Sequence, residues 1–270
     1  MRFRLSLLLI IIPLIGISQT CLLASLIETS QPLATDAPTK TRTELFNFIS
    51  LQQSKKLKIN QQGEVKFLRA MVNQAHRKFL RKYKAYSQFN EAFDNGNYDC
   101  LTGTAFFSVV LEGLKFKHRI IETNYHIFLL VNTSQGEILI ETTDRYFGFK
   151  TKAEEIDNSL NQYKKNLLPG STEKQYYQYH TSLFREVNGM LLSGLLYFNQ
   201  AVIAYNQHNW LLCVEKLEKA RSIYNNARVE ELTEILIGSI AISDLKESSK
   251  QELLSKLKKH LKSTPILAAR

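Results

Sequence analysis

The spacing of apolar and polar positions changes several times along the chain, and each change predicts an element. From Gly63, Val65, Phe67, Leu68, Met71, Val72, Ala75, Phe79 and Leu80 follow helical spacing with Arg and Lys between them, which predicts an amphipathic helix to about Tyr83. Asp94-Asn95-Gly96-Asn97 is turn chemistry, and Asp99 then stands as N-cap for Leu101 to Leu114, a stretch apolar on nearly all sides. A helix without a polar face is a buried one. After Gly113 the period shortens. Arg119 to Ile121, Tyr125 to Val131 and Glu137 to Thr142 read as strands, the last two joined as a hairpin across Asn132 to Gly136. From Glu154 helical spacing returns with few strand signals, broken near Pro169-Gly170 and Asn225-Asn226.

The first residues are set apart by composition. Met1-Arg2-Phe3-Arg4 is a basic head and Leu5 to Ile17 an apolar run, the layout of a secretory signal at 1–18. Gly16 and Ser18 supply small residues for cleavage after Ser18; Ala24 is the alternative site, and Cys21 is a candidate for lipidation, although its preceding residues are a poor match. Residues 19–43, with Pro32, Pro38 and several Ser and Thr, are read as a linker, with order beginning near Glu44. The expected location is outside the cytoplasm, periplasmic or extracellular.

The formal charge is +10, or +8 without Arg2 and Arg4, which favours acidic surfaces. No basic block is interleaved with stacking aromatics and export is expected, so nucleic acid is excluded as a partner. Membrane contact is expected only through the signal or a lipid on Cys21. The histidines lack spacings that would set two ligands on one helical face, and no glycine loop cradles phosphate, so neither metal nor cofactor is expected. Three cysteines without close pairs exclude a disulfide scaffold. Cys213 falls on an inward helical face and is read as core, Trp210 as a packing anchor, and Glu122 and Glu141 as exposed strand carboxylates. The basic tail Lys246 to Lys262 is read as a docked terminal helix.

Chemistry concentrates around Cys100. It opens the buried helix, where unpaired N–H groups favour a thiolate, and Gly103 and Ala105 leave room for a strand to approach closely. His126 begins the strand Tyr125 to Val131. A three-residue loop Ser134 to Gly136 would set His126 opposite Asp144, and a two- or four-residue loop would shift the facing position by one, to Arg145 or Thr143. A carboxylate there can accept the second imidazole N–H and fix the tautomer.

In chain order, a cysteine at a helix start, a histidine on a strand and an aspartate after the next strand, the segment Tyr98 to Gly148 resembles the transglutaminase-like branch of the papain-like cysteine fold. Tyr98, Phe128 and Arg145 stand where relatives commonly carry glycine, tryptophan and proline. The resemblance implies Cys100 as nucleophile, His126 as general base and acid, and Asp144 as orienter in acyl transfer from an amide or ester, with water or an amine resolving the thioester. The oxyanion would be held by the Cys100 N–H and a second donor, for which Asn97 and Gln88 are candidates by proximity. The expected substrate is a peptide or protein.

The expected architecture is α+β: a transglutaminase-like domain at 44–152, then a helical region at 153–270. Leu195 to Tyr224, in a hairpin near 190–226, is similar to one tetratricopeptide repeat, with Ala201, Ala204, Cys213, Leu217 and Ala220 at packing positions. That region could bind a protein partner. A catalytically silent scaffold gripping a partner or envelope component is the alternative to the enzyme.

Overall fold

A computed structural model describes residues 17–30, 37–165 and 183–261. The basic head with most of the apolar run, Pro32 and the Pro169-Gly170 break lie outside them. The chain is α+β. In order, its helices are α1 (Ile17–Glu28), α2 (Ala37–Lys56), α3 (Glu64–Lys78), α4 (Glu91–Asp94), α5 (Cys100–Gly113), α6 (Ala153–Lys165), α7 (Gly189–Asn206), α8 (Trp210–Ile223), α9 (Ala227–Ala241) and α10 (Glu247–Leu261). Its strands are β1 (Lys82–Tyr83), β2 (Asn97–Tyr98), β3 (His118–Thr123), β4 (Ile127–Thr133), β5 (Gly136–Ile140), β6 (Phe149–Lys150) and β7 (Phe184–Val187).

Five strands form an antiparallel sheet in the order β6-β5-β4-β3-β7, and β1 pairs with β2 in a short parallel ladder. Alternation along the strands sorts the side chains onto two faces. Ile120, Ile127, Leu129, Val131, Ile138 and Ile140 belong to the main core, against α5. Ile121, Phe128, Leu130 and Leu139 point the other way, under Ile156 and Tyr163 of α6. Both faces are covered, which is why β4 reads as an unbroken apolar run.

Helix α5 is central: every residue from Leu101 to Leu111 is buried, and it packs against β3, β4, α1, α2 and α7. Its start is fixed by a capping box. The Thr102 N–H donates to Asp99 Oδ1 at 2.8 Å and the Asp99 N–H donates to Thr102 Oγ1 at 2.9 Å, so each residue satisfies the other's backbone donor. The expected cap, buried helix, hairpin and helical C-terminal half are all present. The terminal basic helix is docked, with Leu253 and Leu257 buried and α10 packed on α8 and α9.

Three expectations need correction. Residues 19–43 are not a linker throughout. Leu22, Leu23, Leu26 and Ile27 of α1 are buried in the main core, Ser25 Oγ donates to Ser193 Oγ at 2.8 Å, and α2 begins at Ala37 with Pro38 in its first turn. The Pro and Ser/Thr content masked a short apolar stripe. A boundary at 152/153 is likewise crossed by the core, because α5 packs on α7 and β7 completes the sheet begun by β3. That strand was not expected, since Phe184-Arg185-Glu186-Val187 is short and half charged.

Candidate functional site

Cys100 sits at the first turn of α5, half-buried, in a cleft of about 580 Å³. One side of the cleft is the segment around Tyr83 and Tyr86, held beside the Cys100 turn by the Lys82↔Asn97 and Tyr83↔Tyr98 pairs. The end of the sheet, Glu122 to Ile127, together with residues of α7 and Arg228 of α9, also lines it.

The close approach expected at Gly103 is present. A Cβ there would stand 2.7 Å from Thr142 Oγ1 and 2.9 Å from Thr142 Cβ, and Thr142 is fully buried. The Gly103→Ala variant is therefore expected to lose about 1–3 kcal/mol, read from a urea melt, by forcing the end of β5 away from the helix.

His126 lies just before β4 and also lines the cleft. Its N–H donates to Thr123 Oγ1 at 3.0 Å, which fixes the backbone at the strand entry. The ring packs against Phe128 and Tyr163, with centroids 6.2 and 5.4 Å away, so it leans toward the α6 side of the sheet end while Cys100 approaches from the α5 side.

The carboxylate that meets His126 is Glu141, not Asp144. His126 Nε2 donates to Glu141 Oε2, and Tyr163 Oη donates to the same oxygen at 3.3 Å. Thr143 donates to Glu141 Oε1 through its N–H at 2.9 Å and its hydroxyl at 2.6 Å. Asp144 is exposed and caps its own turn, accepting from the N–H groups of Tyr146 at 3.2 Å and Phe147 at 2.9 Å.

Register explains the exchange. Thr133 pairs with Gly136, so the loop has two residues, Ser134 and Gln135, and the position facing His126 is Thr143. Glu141, two residues back on the same face, is then the diagonal neighbour, within reach of a long side chain. Beyond Ile140 the chain leaves the ladder, as the Gly148 N–H donates to Asp144 O at 2.8 Å and Asp144 turns outward. The expectation that Glu122 and Glu141 are exposed fails for the same reason: with helices on both faces neither side of the strands is solvated, and the two residues are 1 % and 7 % exposed.

Burial pushes the Cys100 thiol well up, with the Asp99 and Glu141 carboxylates adding to the shift and the N–H groups of Ile127 and Leu101 opposing it. The helix N-terminus thus does not produce a resting thiolate, contrary to the sequence expectation, because its own cap carries a carboxylate and the sulfur is poorly hydrated. Burial also lowers the His126 pKa, against the raising effect of Glu141. No hydrogen bond joins Cys100 and His126 among the described residues. With Nε2 held by Glu141, Nδ1 is the nitrogen left to take a proton.

Neither Asn97 nor Gln88 lines the cleft. The Asn97 carboxamide donates to Glu91 Oε2 at 2.9 Å, and the Gln88 N–H donates to Glu91 Oε1 at 3.3 Å, so both belong to the brace around α4. A second buried cluster, not foreseen, borders the cleft. Glu122 accepts from Tyr224 Oη and from Arg185 Nε at 2.9 Å, and pairs with Arg228 at 3.4 Å. Arg228 also donates to the carbonyls of Thr123 at 3.1 Å and Asn124 at 3.3 Å, tying α9 to the loop that carries His126. Single strand positions carry no signal for such a pairing, since its members are about 60 to 100 residues apart.

Comparison with family models, with curated proteins and with solved structures finds no match. No helix among the described residues is long and apolar enough to cross a membrane.

Proposed function

We propose that the chain is an exported cysteine acyl-transfer enzyme with a transglutaminase-like core, in which Cys100 is the nucleophile, His126 the base and acid, and Glu141 the orienting carboxylate. The observation that carries this reading is the His126–Glu141 pair, whose histidine lines the cleft that Cys100 also lines. A buried carboxylate held by Thr143 and Tyr163 and bonded to one imidazole nitrogen fixes ring and tautomer, as triad chemistry requires.

In the proposed reaction the Cys100 proton passes to His126 Nδ1 as sulfur attacks an amide carbonyl. The C–N bond then breaks, and the departing amine takes that proton. Water or a second amine attacks the thioester, gives its proton to His126, and the C–S bond breaks as the proton returns to sulfur. The reaction needs a Cys100–His126 contact that forms with substrate, by movement of the ring from its place beside Tyr163 toward the sulfur. Cleavage after Ser18 fits export better than cleavage after Ala24, which would remove the core residues Leu22 and Leu23.

The test is a mass-spectrometric screen of a proteome-derived peptide mixture for new termini, deamidation or cross-links, using the whole chain and Cys100→Ala. Products are expected only with the wild type. Products formed equally by both would contradict the reading.

A second reading is a silent scaffold whose α7–α8 hairpin, similar to a tetratricopeptide unit, holds a partner protein. It is favoured by the upward-shifted thiol and by the missing Cys100–His126 hydrogen bond.

A further inference from the structure

Helix α7 lines the cleft with a stripe formed by Leu195, Asn199, Val202 and Asn206. These spacings of four, three and four residues keep the side chains on one helical face. Leu195 and Val202 are buried, whereas Asn199 is half-buried and Asn206 exposed. Neither carboxamide has a hydrogen-bond partner among the described residues.

The charged groups lining the cleft are, by contrast, already engaged. Asp99 accepts from Thr102, and Glu122 and Arg228 meet each other. Along α7 the cleft therefore offers a ligand neutral groups, two carboxamides that are each a donor and an acceptor. A peptide bond has the same pair of functions. Spacing agrees too. Seven residues of helix rise about 10.5 Å, and three residues of extended chain span about 10 Å, so two carboxamides seven apart can meet peptide groups three apart.

We propose that α7 is the substrate-binding wall of the site: Asn199 and Asn206 pair with the backbone of an extended, uncharged polypeptide segment. This rests on the cysteine-enzyme reading of Cys100 and names its substrate as a stretch of unfolded or extended polypeptide rather than an anionic small molecule. It also gives the helical half of the chain a role in the reaction, as the surface that aligns the scissile amide with Cys100.

The test compares two reagents on the full chain, iodoacetamide and acetyl-trialanyl chloromethyl ketone, by mass spectrometry of Cys100. The readout is the ratio of peptidyl to iodoacetamide labelling rates at low reagent concentration. In the Asn199→Ala/Asn206→Ala double variant this ratio is expected to fall about tenfold, through weaker reagent binding, as the loss of two backbone-directed pairs implies. A chloromethyl ketone with one alanine should show no such fall. An unchanged ratio for the trialanyl reagent overturns the role of α7 while leaving the cysteine chemistry standing. If His126→Ala leaves Cys100 labelling by both reagents unaltered, the cysteine-enzyme reading fails and takes the substrate wall with it.

Discussion

Glu141→Ala is expected to slow iodoacetamide labelling of Cys100 near neutral pH by about 10²–10⁴-fold, the range that general-base assistance contributes. Asp144→Asn should leave the rate within about twofold. The two carboxylates are three residues apart, yet only Glu141 holds His126 Nε2; Asp144 spends its side chain on the N–H groups of Tyr146 and Phe147. Without Glu141 the imidazole loses the acceptor that fixes its tautomer, and Nδ1 then carries the proton in part of the population. A far-ultraviolet spectrum and a melt on each variant separate this effect from unfolding. Equal slowing by both substitutions would contradict the assignment of the orienter.

Glu122→Ala is expected to cost about 3–5 kcal/mol in a urea or thermal melt, because it leaves the Arg228 guanidinium buried without its carboxylate. Arg185→Ala should cost about 1 kcal/mol or less, since Arg185 meets the same carboxylate from a partly exposed position. The contrast follows from where the charges sit: Arg228 is 6 % exposed and bridges α9 to the Thr123 and Asn124 carbonyls, so its loss of a counter-charge is felt at the loop before β4. A loss of stability at Glu122 no larger than at Arg185 would show that the cluster is not what joins the helical half to the sheet.

Much of this arrangement was legible in the sequence because it depends on local chemistry. Asp99 and Thr102 stand three apart as a capping box requires, and the uninterrupted apolar stretch behind them can only be an interior helix. Cys100 and His126 were placed at the ends of their elements by the same local signals. What was not legible depends on sequence-distant partners or on register. Choosing between two- and three-residue hairpin loops decides which residue faces His126, and Ser134-Gln135-Gly136 allows both. Glu122 reads as a surface strand residue until α9 arrives about a hundred residues later to cover it. The α1 stripe of Leu22, Leu23, Leu26 and Ile27 adjoins an apolar run, so targeting composition and core composition merge there.

In the proposed mechanism imidazole and thiol act together, and the pH dependence of Cys100 alkylation is the measurement that decides it. Burial lowers the His126 pKa and raises that of Cys100, so the two groups titrate further apart than a free imidazole and a free thiol. If His126 accepts the proton, the wild-type iodoacetamide rate should rise as His126 deprotonates below the ordinary histidine range, then stay level until thiolate formation sets in well above the ordinary cysteine range. His126→Ala should lack the level region and rise about tenfold per pH unit throughout, following the thiolate alone. Superimposable wild-type and His126→Ala curves would contradict the claim and leave Cys100 as a buried thiol beside an unrelated His–Glu pair.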